Sequence, residues 1–356
     1  MKKITSTILA LFACAVSLFA QQASVNVENI GTRNAMIRVN GDHNYILLPI
    51  EEKAPESQFR LLCDAQLMQT FNARLATDRV DYYMPVDLTL YKGHKILLDI
   101  IEPVRNTNIG REPQWKTEVR FTETFDTKNY EKWRPAFHHT PSYAWMNDPN
   151  GMFYDDTTNT WHLYYQWGPY GSTWNNMTWR HSSSKDLINW TDEGVAIAPN
   201  ALGTIFSGSC VVDKNNTAGF GKGAIIALYT ADGINQRQCL AYSTDGGKTF
   251  TNYVGNPILA AGIPDFRDPN MFWNEEINAW NLILAAGQEM RIYTSPNLID
   301  WKEESRFGLG YGNHSGVWEC PDLLKVDVLD AKGNKTGRSK WVLVCNINPG
   351  GPFGGS

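Results

Sequence analysis

A fourfold recurrence constrains this chain more than any other feature. Asn147-Asp148-Pro149-Asn150-Gly151, Phe206-Ser207-Gly208-Ser209, Arg267-Asp268-Pro269-Asn270 and Glu319-Cys320-Pro321-Asp322 each open an apolar run, and the steps from Asp148 to Ser207 to Asp268 to Glu319 are 59, 61 and 51 residues. A second motif trails the first. Ser184–Trp190, Ser243–Phe250 and Ser295–Trp301 each follow a short strand-like run, begin on Ser and close on an aromatic residue, as one repeated hairpin would. A period of about 50–60 residues with four strands per unit is the period of propeller blades. In such a fold the four motif residues occupy equivalent places on innermost strands and face one central channel. The repeat then gathers three carboxylates that are far apart in sequence.

Residues 131–356 therefore read as an all-β propeller, with three full blades and about half of a fourth, from Trp318 to about Cys345. The terminal Asn348–Ser356 stretch reads as a loop leading onward, so the propeller is expected to be truncated in its fourth blade. Residues 21–130 have another texture. Short alternating runs such as Ala35–Val39, Tyr45–Ile50 and Lys95–Ile100, set between turn residues, predict a small antiparallel β-sandwich-like domain. Only Ser57–Leu75 there has a pattern that a helix could hold. In residues 1–20, Lys2 and Lys3 precede an apolar run from Ile4 to Ala20, the layout of a signal peptide cut after Ala20. Cys14, in Leu11-Phe12-Ala13-Cys14, offers lipid attachment as a rival, but the apolar run continues to Phe19 and favours cleavage. A secreted or periplasmic protein is expected, with no later segment apolar enough to form a transmembrane helix.

A net charge of −5 with no long run of one sign excludes nucleic acid or an anionic membrane as main partner, because both require clustered Lys and Arg. Beyond the leader stand Cys63, Cys210, Cys239, Cys320 and Cys345, an odd set whose spacings match neither a disulfide scaffold nor a CxxC metal site. They read as buried thiols with at most one disulfide. His162 and His181 lie in strands without a partner at metal-ligand spacing and read as packing. No Gly-rich phosphate loop and no clustered ligands are present, so neither cofactor nor metal is expected. Oligomeric state is not encoded legibly.

Cutting a glycosidic bond with retention requires one carboxylate to attack and one carboxyl group to protonate the leaving oxygen, about 5–5.5 Å apart. Asp148 has the polar setting of an attacker, beside Asn147 and ahead of a Pro-Asn-Gly turn. Glu319 has the apolar setting of an acid, between Trp318, Cys320 and Pro321. Asp268 follows Arg267, which is expected to keep it charged. Singly, Asn-Asp-Pro-Asn-Gly and Arg-Asp-Pro are ordinary turn sequences. Their recurrence at blade-equivalent positions is what makes them a site.

Trp145–Gly151, Phe266-Arg267-Asp268-Pro269 and Trp318–Asp322 closely resemble the three defining motifs of glycoside hydrolase family 32, which includes invertases, inulinases and levanases. The resemblance covers about Ala136 to the end, and the preceding region is similar to a small β domain ahead of the propeller in some bacterial members. The resemblance implies a five-bladed propeller followed by a β-sandwich, of which the fifth blade and the sandwich are absent here. It implies a nucleophile at Asp148, an acid/base at Glu319 and a transition-state stabiliser at Asp268. Sugar contacts are implied at Asn147, Gln166, Trp174, Phe206, Ser207 and Arg267. The implied substrate is a carbohydrate, a β-fructan such as levan or inulin, or sucrose. A fructosyltransferase and a propeller that binds sugar without catalysis are the alternatives. Trp145, Trp174 and Trp318, beside motif residues, are candidates to stack on the sugar, whereas Trp161, Trp190, Trp273, Trp280, Trp301 and Trp341 read as blade packing. Trp167, Asn175 and Arg180 depart from the family pattern and are expected to flank the pocket mouth.

Overall fold

Alternation of apolar and polar residues with period two builds strands with one buried face, and it dominates both halves of the chain. The computed structural model describes residues 25–39, 42–104, 112–126 and 134–350. The expected signal peptide lies outside the described residues.

Toward the N-terminus, one five-stranded antiparallel sheet has the spatial order Val27–Asn29, Asn34–Val39, Ile96–Ile101, Ser57–Cys63, Gln66–Ala73. A three-stranded sheet places Tyr45–Ile50 between Tyr82–Asp87 and Arg120–Thr122. Ile37, Leu61 and Leu98 of the first sheet share one core with Ile46, Leu48 and Val86 of the second. The segment Ser57–Leu75 is a hairpin, not a helix. Ser57, Phe59 and Leu61 are buried while Gln58 and Arg60 between them are exposed, and the turn residues Asp64 and Ala65 take φ of 49° and 67°. Period two wins there because the sandwich core has a face to fill.

The second half forms three four-stranded antiparallel sheets and a hairpin. The first sheet comprises Trp145–Asp155, Thr160–Gly168, Thr178–Ser184 and Trp190–Ile197. The second comprises Thr204–Asp213, Ala224–Asp232, Gln236–Ser243 and Thr251–Asn252, and the third Phe266–Asn274, Ala279–Ala286, Met290–Ser295 and Lys302–Phe307. Val317–Leu329 pairs with Lys335–Asn348 in the hairpin. The first strand of each sheet packs against the first strand of the next, the arrangement of propeller blades around an axis. Ala224–Asp232 and Ala279–Ala286 are buried almost throughout, which is why they read as continuous apolar runs without alternation.

The second motif is a turn closed by side chains. The Ser184 hydroxyl and the Asp186 carboxylate accept the N–H groups of Leu187, Ile188 and Asn189. Ser243 and Asp245 do the same for Gly247, Lys248 and Thr249, and Asn297 for Ile299 and Asp300. Trp190 and Trp301 then donate their indole N–H to Leu187 and Leu298 carbonyls at 3.2 and 3.0 Å. Ser, Asp and Asn recur because their short side chains replace backbone partners in tight turns. All five described cysteines are free thiols, so the single disulfide allowed by the sequence is not formed. His162 and His181 are packing residues, 3.0 Å apart and stacked between Phe153 and Tyr164.

Candidate active site

The backbone ladder breaks at the same level in all four first strands. Its register slips around Asn147-Asp148, at Ser207, at Asp268-Pro269 and at Cys320-Pro321. Pro149, Pro269 and Pro321 have no N–H to give to a ladder, so the sequence itself prescribes three of the breaks. In the second sheet Gly208 permits the break, since a Cβ there would lie 2.0 Å from the Leu228 carbonyl oxygen. A bulge re-aims side chains, and Asp268 and Cys320 complete theirs with left-handed φ of 62° and 47°. Such conformations are costly for non-glycine residues and gather at functional sites.

These bulges surround a cavity of about 340 Å³. Asp148, Asp268 and Glu319 line it together with Asn147, Gln166, Trp174, Phe206, Ser207 and Arg267, so the three carboxylates and all six expected sugar contacts reach one pocket. Trp145 lines it as well. Trp318 does not. It is buried at 2% exposure, donates its indole N–H to the Asn313 carbonyl, and fills space left by Gly308 and Gly312. Trp167 and Arg180 are also packing residues, not mouth residues. The Arg180 guanidinium stacks on Trp167 at 4.4 Å and pairs with Asp192. Asn175 alone of that trio lies in a loop beside the pocket residue Trp174.

Ser207 donates its hydroxyl to Asp148 Oδ2 at 2.6 Å. The Cys320 thiol sits 3.8 Å from that same oxygen and 3.6 Å from Asp268 Oδ2, between the two carboxyl groups. Burial and the neighbouring acids push the thiol far above its ordinary range, so Cys320 stays an S–H. Asp268 Oδ2 accepts the Cys320 N–H at 2.9 Å, and the Asp268 N–H donates to Thr230 Oγ1 at 3.1 Å. Thr230 in turn donates to Gln238 at 2.8 Å, whose amide reaches the Phe266 carbonyl at 2.7 Å. This chain of bonds fixes the strained turn.

Arg267 lies within ion-pair distance of Asp268 and opposes the rise of its carboxyl, as the neighbouring position suggested, but its closest partners are other acids. Its guanidinium donates twice to Glu319 Oε1, at 2.8 and 3.2 Å, and to Asp265 at 2.6 Å, while Asp268 Oδ2 is 3.9 Å away. Burial pushes the Asp268 carboxyl up to about 6, with Asp148 and Glu319 adding to the rise. The pocket thus presents three carboxyl groups, one guanidinium, hydroxyl and amide groups and two indoles, the equipment for gripping a polyol and exchanging a proton with it.

Sequence reading missed Asn150, Asn346 and Asn348. Asn150 is buried beside Ser207, and the amide orientation that satisfies its neighbours, the reverse of the one drawn, donates to Ser207 Oγ at 3.2 Å and accepts from Trp179 Nε1 at 3.0 Å, bracing the partner of Asp148. Its recurrence as Asn270 in the second Asp-Pro-Asn was an available signal. Asn346 and Asn348 line the pocket from the hairpin's second strand, which carries no motif.

Residues 138–355 match the family model "Glycosyl hydrolases family 32 N-terminal domain", and residues 31–137 match a domain of unknown function, DUF4980. The chain is 48% identical over 231 residues to a levanase of Bacillus subtilis (strain 168), covering 64% of this chain and 33% of the levanase. It is 44% identical over 240 residues to an extracellular exo-inulinase of Meyerozyma guilliermondii, covering 64% of this chain and 45% of that protein. Among solved structures, the fructofuranosidase from Schwanniomyces occidentalis complexed with fructose aligns with a TM-score of 0.59 and 41% identity, over 65% of this chain and 46% of that one. The chain spans less than half the length of each of these relatives.

Proposed function

The chain belongs to glycosyl hydrolase family 32, and from that premise we propose that it releases fructose from β-fructosides, levan, inulin or sucrose, by a retaining double displacement. Asp148 attacks the anomeric carbon C2 of a terminal fructosyl unit as Glu319 gives its proton to the departing oxygen. Glu319 then takes a proton from water, whose oxygen displaces Asp148 from C2 and frees the sugar. Ser207 orients the Asp148 carboxylate, Arg267 orients Glu319, and Asp268 grips ring hydroxyls. The observation that carries this reading is the convergence of the three carboxyl groups, at the bulges of the first strands of the first and third sheets and of the hairpin, in one pocket with Arg267.

Fructose release from sucrose, inulin and levan by the purified protein tests it. Asp148→Asn and Glu319→Gln should each lower turnover by at least about 100-fold. Folded variants that stay within about tenfold of the parent would be incompatible with these roles. A folded parent that releases no fructose from any of the three points to a sugar-binding propeller, and accumulation of fructosyl oligosaccharides in place of free fructose to a transferase. The Lys2-Lys3 start and apolar Ile4–Ala20 run support export with cleavage before Gln21, which N-terminal sequencing of exported protein checks. We assign residues 21–130 to an accessory sandwich and 131–356 to the catalytic propeller.

A further inference from the structure

We propose that the N-terminal sandwich positions one wall of the pocket. It holds the loop that carries Trp174 and so sets how tightly the site grips the leaving part of the substrate, an inference that rests on the fructoside-cleaving reading. The loop joins the strands Thr160–Gly168 and Thr178–Ser184 of the first blade, and its side chains are engaged by the sandwich. Asn176, buried and at a left-handed φ of 54° that asparagine tolerates, accepts the Asn72 N–H at 2.8 Å and donates to the Asn72 carbonyl at 2.9 Å. Asn72 lies on Gln66–Ala73, an edge strand of the five-stranded sheet. The Asn176 amide thus closes that edge as a further strand would, satisfying backbone groups that an edge leaves open.

Two more contacts flank it. Ser172 donates to Glu52 at 2.5 Å, and Asn175 donates to Glu56 at 3.1 Å. Tyr170 goes deeper: its ring stacks on Phe71 at 4.1 Å and belongs to the sandwich core. Trp174 stands in the midst of these anchored residues. Its aromatic neighbour on the propeller is Phe206, edge-on at 5.7 Å, and it remains 54% exposed at the pocket rim while Asp268 is 7% exposed. A large indole with so little packing of its own takes its position from the backbone beneath it, and the sandwich fixes that backbone. At the rim it meets the departing sugar more than the fructosyl ring held below.

A double-mutant cycle on the full chain tests this, with the parent, Asn176→Ala, Trp174→Ala and the double variant assayed on sucrose and on a fructan trisaccharide. Hydrogen exchange of the loop amides is followed in parallel. Asn176→Ala should raise KM for the trisaccharide by about 5–20-fold with kcat changed by less than about threefold. The double variant should be no worse than Trp174→Ala by more than about twofold, because both changes remove one interaction. Loop exchange should quicken while that of the blade strands does not. Additive losses, or an unchanged KM, would overturn the proposal. If the parent cleaves no fructoside, the fructosidase reading fails, and loop exchange alone then decides. Loop amides that do not exchange faster in Asn176→Ala sink the platform. Should Asn176→Ala not fold, the pair Ser172→Ala and Glu56→Gln replaces it in the same cycle with the same outcomes.

Discussion

Replacing Asp268 by asparagine should make the protein more stable while it loses activity, and the gain should depend on pH. Asp268 is buried at 7% exposure among Asp148, Glu319 and Cys320, and its carboxyl is pushed from 3.8 up to about 6. A carboxyl whose folded pKa lies above its unfolded one favours folding fully below about 3.8, and that contribution is lost as pH rises through about 6. At about 1.4 kcal/mol per pKa unit, an ionised Asp268 costs the folded state about 3 kcal/mol above pH 6. Asparagine has the same shape, can accept the Cys320 N–H through its carbonyl, and carries no charge at any pH. Titrating groups that do not face Asp268 are common to parent and variant and cancel in the comparison, while the coupling of Asp148, Glu319 and Arg267 to Asp268 is already contained in its raised pKa. Asp268→Asn should therefore match the parent near pH 4 and exceed it by up to about 3 kcal/mol at pH 7.5, each kcal/mol raising Tm by about 2–4 °C. Thermal unfolding of both proteins from pH 4 to pH 7.5 measures the difference. A gap that does not change with pH, or a variant less stable at pH 7.5, would refute the reasoning. Fructose release should fall alongside, the usual exchange of stability for a charged functional group.

Ser207→Ala removes the 2.6 Å bond to Asp148 Oδ2; at about 1.5–3 kcal/mol for a bond to a charged group, kcat/KM should fall about 10–100-fold with Tm nearly unchanged. Gly151→Ala should lower stability by about 1–3 kcal/mol, because its Cβ would lie 2.4 Å from Cys210 Sγ at a φ of 24°. Adding Cys210→Ala should restore part of that loss in a denaturant titration. Burial raises the thiols of Cys210, Cys239 and Cys320, so iodoacetamide at pH 8 should leave them unlabelled in folded protein and label all three after denaturation, as read by mass spectrometry.

The pocket was legible in sequence because its residues recur with the blades and because proline marks the ladder breaks. What stayed hidden depends on direction. Arg267 and Asp268 are adjacent in sequence and stay within 3.9 Å of each other, but the guanidinium gives its direct hydrogen bonds to Asp265 and to Glu319 on the next sheet. Trp318 sits beside Glu319, yet successive strand residues face opposite sides, so one enters the pocket and the other the blade interface. Trp167 and Arg180 faced the same ambiguity, and their mutual stacking settles it. The hairpin at Ser57–Leu75 was obscured because its second strand is largely exposed and shows no alternation over its first residues. Asn346 and Asn348 arrive through pairing with the strand that carries Glu319, and pairing partners leave no local mark.

The second sheet bears on why the site exists where it does. Its first strand carries the same break as the other three, but at Ser207, with no carboxylate and no proline. The break is therefore a property of the repeating unit and not of any catalytic residue. A bulge at one level of each first strand turns one side chain per blade toward the axis, and residue identity alone then decides what the ring of positions can do. Two of the four sites take left-handed backbone at Asp268 and Cys320, and Asp268 adds the cost of a buried acid. The strand that carries Asp268 pairs with Ala279–Ala286, which is buried almost throughout, whereas the strand that carries Cys320 pairs with the largely exposed Lys335–Asn348. In the second and third sheets the apolar packing of the second strands supplies stability that lets the first strands be irregular. A propeller can thus vary the chemistry at its axis by substitution while its blades keep their packing.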